Sequence, residues 1–390
     1  MSEKLTVKNV VNINKSTLSS KDNWSTLKYL DTGNITENQI DTLQIFQKGE
    51  KLPSRAKRKV EKGTIIYSTV RPNQKHFGYF DTYSDDLVVS TGFVTLDVID
   101  LRVNSKYLYY LLTQNSVISQ LQSIGENSTS SYPSIRPEDI GNLSFMFPDI
   151  DIQNKIADIL TSIDKKIQIN NQINRELEAM AKTLYDYWFV QFDFPDQNGN
   201  PYKSLGGKMV YHPELKREIP EGWGVEKLSH FLTIKNGKDH KHLQDGKFAV
   251  YGSGGIMRTV TDYLYSGESI LFPRKGTLNN VMYVNEKFWT VDTMFYSEVN
   301  KNNSALYVFY SVKDIDFNKL NTGTGVPSMT SSILYDLSII VPEENILEKF
   351  NTIVKRNYET IKLNNIQNQE LIQLRDWLLP MLMNGQVKVE

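Results

Sequence analysis

Two stretches of the chain place apolar residues at helical spacing among polar ones and contain neither proline nor glycine: the 46 residues between Pro148 and Pro195, and the 37 between Pro342 and Pro380. In the first, Ile152, Ile156, Ile159, Ile163, Ile167, Leu177, Met180 and Leu184 mark one face; in the second, Ile346, Phe350, Ile353, Ile361, Leu371, Leu374 and Leu378 do so. This pattern predicts two long amphipathic helices. A helix of about 40 residues is roughly 60 Å long, which suits a spacer better than a small domain. Both stripes are interrupted by polar residues at Asn170-Asn171 and Asn364-Asn365. Buried asparagine there would fix the register of a helical pair; the alternative is a solvated break in each helix.

Before each helix the pattern changes to short β-type runs separated by Gly, Asp and Asn turns. In the first half these are 63–67, 87–89 and 93–96, and in the second 269–272, 281–284 and 288–291, expected as their counterparts. A short apolar helical piece follows in each, 106–112 and 305–310. Residues 195–222, rich in Pro, Gly and Asn, read as the connection. The expected organisation is therefore a domain over 1–148, a helix over 149–194, a linker over 195–222, a second domain over 223–342, and a second helix with tail over 343–390. The expected class is α+β, with small irregular sheets and helices in each domain. Two long antiparallel helices forming a coiled coil would separate the domains, with pseudo-two-fold symmetry.

The chain repeats itself. Shifted by 194 residues, Pro133 to Met180 aligns without a gap on Pro327 to Leu374, with 14 of 48 positions identical, including Pro133-Ser134 on Pro327-Ser328 and Asn170-Asn171 on Asn364-Asn365. Chance does not hold register over that length. Upstream the offset drifts, to 199 between Trp24 and Trp223 and to 204 between Gly63 and Gly267. Helices and the turns into them stay alike while the domains diverge, as expected if the former meet identical partners and the latter read different targets.

With 39% hydrophobic and 23% charged residues, the composition is that of a globular protein, and no apolar run approaches the roughly 18 residues of a membrane span. The start of the chain lacks the features of a secretory signal, and the absence of cysteine removes disulfides and thiolate chemistry, so a cytoplasmic location is expected. The net charge of -1 divides into +2 over 1–148, -3 over 149–194, +1 over 223–342 and -1 over the remaining residues. Bulk charge does not indicate nucleic acid; local clusters must do so.

Catalytic signatures are not found. Gly252–Gly255 lacks the Lys-Ser/Thr of a phosphate loop and reads as a tight turn, and His240-x-His242 has no third metal ligand. No cofactor or metal is expected on this chain. What remains is a recurring mixture of cations and amides. Lys48, Lys51, Arg55, Lys57, Arg58, Lys59 and Lys62 are followed by Arg71, Lys75 and His76; the second half offers Lys235, Lys238, His240 and Lys241, then Arg274, Lys275, Asn279 and Asn280. Lys and Arg neutralise phosphates, and Arg, Asn and Gln pair with guanine or adenine edges. Their recurrence after β runs in both halves points to DNA readout. The aromatic residues at the helix ends, Tyr185, Tyr187, Trp188 and Trp377, are candidates for partner contact or for core. A protein-interaction scaffold with two heads is the alternative.

These residues occur with specific linker motifs: Trp188-Phe189-Val190, Phe192-Asp193-Phe194-Pro195, Gly199-Asn200-Pro201-Tyr202, Gly206-Gly207-Lys208 and Ile219-Pro220-Glu221-Gly222-Trp223. With Tyr251–Gly255, Pro273–Gly276, Val70–Pro72 and Ser90–Phe93, they make nearly the full chain resemble the specificity subunit of type I restriction-modification systems. That resemblance implies a non-catalytic subunit with two target recognition domains, each reading one half of a split double-stranded DNA site. It further implies two copies of a methyltransferase subunit, which would hold S-adenosylmethionine, and a restriction and translocase subunit. The turns into the helices differ, 125–133 being longer than 323–327, and either turn is a candidate for DNA backbone or partner contact or a plain connection.

Overall fold

The structure is a computed structural model that describes residues 3–19, 21–82, 85–128, 132–323, 325–387 and 389. It divides by internal packing into two compact units, Met1–Ile169 with Gln367–Glu390, and Asn170–Ile366. Both long helices are present. The first runs Ile150–Tyr185 and continues as a π-helical turn over Asp186–Val190; the second runs Glu344–Met383 and contains Pro380 in its last turn. Each helix is divided between the units, and within each unit the two segments lie antiparallel. In the first unit Asp164 meets Arg375 at 3.1 Å, while Ile156, Ala157 and Leu160 share a core with Leu379 and Leu382. In the second, Asn174 meets Asn364 and Asn365, and Asn357 reaches the Leu177 carbonyl.

The buried face of the first helix includes polar positions that apolar periodicity skips: Gln153, Ile156, Leu160, Ile163, Ile167, Asn170 and Asn174 are buried. Gln153 has a reason to be there, since its amide donates to the carbonyls of Arg102 and Pro148 and its oxygen caps the Asn104 amide. Conversely Ile152, Ile159, Met180, Ile353 and Leu374, expected on the packed stripe, are exposed.

The two units share a scaffold. In each, an opening strand pairs antiparallel with the strand that precedes the long helix: Glu3–Thr6 with Ser144–Phe147, and Gly224–Lys227 with Ser338–Val341. A one-turn helix then leads into a strand, Val11–Ile13 or Leu232–Asn236, at the edge of the sheet. The order continues Phe93–Val98, Ile65–Ser68 and Phe77–Tyr79 in the first unit, and Met294–Val299, Tyr265–Pro273 and Met282–Thr290 in the second.

This topology corrects the expected pairing of the repeats. Met294–Val299 is the counterpart of Phe93–Val98, and 288–291 is not; 282–284 and 288–290 belong to one continuous strand, Met282–Thr290, because the polar Asn285 and Glu286 pair with Glu268 and Gly267 across the sheet. Leu87–Ser90 lies instead in a second four-stranded sheet, parallel to Thr26–Leu30. Trp24 is not the counterpart of Trp223, since Gly224–Lys227 matches Glu3–Thr6. In the second unit the sheet is prolonged by Asp245–Gly252 and Gly255–Val260, giving six strands. Its core is aromatic: Phe189, Trp223, Phe231, Tyr307 and Phe350 pack together, with Phe189 and Tyr307 ring centroids 4.6 Å apart.

Candidate nucleic-acid interface

In the second unit three loops meet at one end of the six-stranded sheet. The 237–242 segment is anchored where the Lys238 amide donates to the Thr290 carbonyl at 2.9 Å and the Trp289 indole donates to the Lys238 carbonyl at 2.9 Å. Tyr251, leading into the glycine hairpin, accepts from the Val291 amide at 3.1 Å. The Asn280 amide donates to the Ser253 carbonyl at 2.8 Å, bringing the 274–280 loop onto that hairpin. A Cβ at Gly276 would come within 2.9 Å of Ser253 Oγ, so glycine permits the approach. Lys238, Lys241, Arg274 and Lys275 are exposed and make no ion pair among the described residues; Asp239 and Asp245, close to Lys241 in sequence, are also exposed, Asp245 being paired with Arg258. The guanidinium of Arg274 lies 5.8 Å from the Phe295 ring centroid.

The equivalent place in the first unit is identified by hydrogen bonds. The Thr69 amide donates to the Gly92 carbonyl, the Ile135 amide to the Thr69 carbonyl and the Arg71 amide to the Pro133 carbonyl; Arg274 donates likewise to Thr293, Met329 to Arg274 and Gly276 to Pro327. Thus Thr69 matches Arg274, Val70 matches Lys275, and Arg71 matches Gly276. Gly276 has φ +93°, and Arg71, exposed, takes φ +46° at the same point. A left-handed arginine is sterically costly, and such a residue is kept where its side chain has a task. Its guanidinium stands 6.0 Å from the ring centroid of Tyr132. Arg55 is brought to the same end, because its carbonyl accepts from the Thr91 amide one residue before Gly92.

The remaining expected contacts fall into two groups. Lys57 is exposed and makes no ion pair among the described residues. Others are engaged internally: Lys59 with Asp22 at 2.5 Å, Lys75 with Glu37 at 2.5 Å, Lys235 with Glu298 at 3.6 Å, and His76 Nδ1 with the Ile35 carbonyl at 2.5 Å. Arg58 is half-buried, its Nε has no hydrogen-bond partner among the described residues, and burial lowers the basicity of its guanidinium. His240 is half-buried. Asn279 donates to Asp316 at 3.2 Å, and that bond leads the effects that hold the Asp316 carboxyl below its usual value. Arg55 is one cation of the 48–62 cluster and Tyr132 one residue of the 125–133 turn, but neither local composition nor spacing distinguishes these two, or Ser253, from their neighbours, because their placement depends on strand pairing.

Among the aromatic candidates, Trp188 is 6% exposed and packs on Phe350, and Tyr185 stacks on Tyr310 while its hydroxyl donates to Ser311, so both serve the core rather than a surface. Tyr187 and Trp377 are exposed, at 38% and 58%. In the turns, Thr129, Ser130, Ser131 and Thr324 lie outside the described residues.

A family model described as the type I restriction modification DNA specificity domain matches residues 2–179 and 220–373. The chain is 25% identical over 431 residues to the type I restriction enzyme HindI specificity subunit of Haemophilus influenzae, over 92% of this chain and 94% of that protein. It is 29% identical over 395 residues to the MjaIX specificity subunit of Methanocaldococcus jannaschii, over 93% of this chain and 84% of that one. The crystal structure of the S subunit of the type I restriction-modification system from M. genitalium matches with a TM-score of 0.61 at 16% identity, over 98% of this chain and 96% of that chain, a likeness of fold.

Proposed function

The chain belongs to the type I restriction-modification DNA specificity family, and from that premise we propose that it reads a bipartite duplex target, one half-site per recognition domain, and carries two methyltransferase subunits docked on its long helices. The observation that carries the reading is the shared junction at Thr69–Arg71 and Arg274–Gly276, where each domain presents exposed cations beside the turn into a long helix. Phosphate contacts from Lys57, Lys238, Lys241 and Lys275 would set register, and Arg71 and Arg274 have the donor geometry for paired contacts to guanine. Lys75, His76 and Asn279 would act behind this face by holding its loops.

Helix docking is supported by apolar side chains that the helix pair leaves exposed. In the first unit these are Ile152, Ile159, Leu374 and Trp377; in the second they are Met180, Ile353 and Leu363. S-adenosylmethionine would be held by the methyltransferase, and a restriction and translocase subunit would complete the cutting complex. No described helix is long and apolar enough to cross a membrane.

Methylome sequencing of cells expressing the chain with its methyltransferase subunit tests the proposal. A single split motif is the expected result; a motif specified on one side only would sink the two-reader reading. Failure to bind DNA in a salt-dependent way would restore the scaffold alternative.

A further inference from the structure

We propose that Ile256 and Met257 in the second recognition domain read thymine through its 5-methyl group; the proposal rests on the DNA-reading function above and names the base chemistry of one contact. Ile256 and Met257 are 63% and 60% exposed, two adjacent large apolar residues on the hairpin whose turn is Gly252–Gly255. Neighbours in a regular strand point to opposite faces. Here Gly252 pairs with Gly255, Tyr251 with Ile256 and Val250 with Arg258, so Met257 is the extra residue of a β-bulge, a device that re-aims a side chain. A Cβ at Gly252 would lie 2.5 Å from the Met257 sulfur, so the thioether rests against bare backbone. The hairpin is also held from below, where the Tyr251 hydroxyl donates to Glu286 at 2.9 Å and Glu286 pairs with Lys362 of the second long helix at 2.9 Å.

The surroundings identify what covers this apolar pair. The Asn280 amide ties the hairpin to the loop that carries Arg274 and Lys275, and the strand end at Thr290 and Val291 ties it to the loop that carries Lys238 and Lys241. Cations on both sides with an apolar tip between them suit a groove of duplex DNA, with phosphates at its rims. The thymine methyl is the apolar group that the base edges present in the major groove.

The test uses the full chain assembled with its methyltransferase subunits and synthetic duplexes bearing its motif, with each thymine of the second half-site replaced in turn by deoxyuridine. Burying one methyl predicts about a fourfold loss of affinity at one or two positions for the wild-type chain. That discrimination should vanish in Ile256→Ser or Met257→Ser, while methylation continues to require the first half-site. Uniform tolerance of deoxyuridine, a second half-site without thymine, or discrimination that survives both substitutions would each overturn the thymine contact and leave two-sided reading intact. Tolerance combined with a large loss of binding in the variants would point to a minor-groove wedge and would also overturn it. Methylation without a motif would instead remove the underlying function.

Discussion

Arg71 takes a positive φ, +46°, where the matching residue of the other domain, at +93°, is the unstrained Gly276. Replacing Arg71 with glycine removes the left-handed strain of a side chain but adds freedom to the unfolded chain, and the two effects, each about 1 kcal/mol, oppose one another. Thermal unfolding of Arg71→Gly should therefore stay close to wild type, while affinity for a duplex carrying the first half-site falls by about 1 to 3 kcal/mol. A large loss of stability with unchanged affinity would make Arg71 a structural residue. Arg274→Ala should weaken or relax recognition at the second half-site by a similar amount, read from methylation of single-base variants. Lys75 differs from both. Its ammonium is committed to Glu37, so Lys75→Gln should be read mainly as lost stability.

At the scale of elements, Arg375 of the second long helix joins Asp164 of the first at 3.1 Å and Glu37 of the Ile35–Ile40 hairpin at 3.3 Å, and the Tyr110 hydroxyl donates to Asp164 at 2.7 Å. The Arg375 side chain is only 16% exposed, so removing it leaves Asp164 to the Tyr110 hydroxyl and Glu37 to Lys75, two carboxylates with restricted access to water that each lose a cation. Arg375→Ala should cost about 1 to 3 kcal/mol in denaturant unfolding, less than a fully buried pair because its partners are partly solvated. Burial pushes the Glu37 carboxyl up, but Lys75 and Arg375 outweigh it and hold the group below its ordinary value of 4.5. A depressed folded value means that this contribution is present above pH 4.5 and is lost as pH falls through the folded value. Acid titration of stability should show the wild-type advantage over Lys75→Gln shrinking below that pH, with the advantage constant above it. In the second unit Lys355 meets Glu268 at 3.3 Å, and Glu268 accepts from Tyr283. In both units, therefore, charges on the second helix steady a recognition domain. Between the helices, Asn174 donates to Asn365 at 2.9 Å and accepts from Asn364 at 2.8 Å. Asn174→Leu alone should destabilise by about 1 kcal/mol because both partners lose their bonds.

For the whole molecule, the division into two units predicts independent recognition. Losses of binding free energy in Arg71→Ala and Arg274→Ala should add to within about 0.5 kcal/mol in the double variant, measured on the complete bipartite duplex, since the two residues belong to different units and share no partner among the described residues. Marked coupling would mean that one domain's engagement alters the other.

Much of this organisation is legible in the sequence because it depends on short-range periodicity or on duplication. The long helices follow from apolar spacing and the lack of Pro and Gly, and the repeat follows from a register kept over 48 residues. The aromatic linker motifs carry the family. Sequence could not decide strand partners, and so it matched 288–291 to the wrong strand, because both segments are equally apolar and only pairing across the sheet distinguishes them. Nor could it separate free cations from committed ones. Lys75 finds its carboxylate 38 residues away and Arg375 reaches Glu37 across 338, distances that no local pattern records. The sequence by itself thus determined that two related domains are built around two long helices. Tertiary structure decided which charges and apolar side chains remain exposed for another molecule, because burial and ion pairing are settled by neighbours that folding, rather than chain order, brings together.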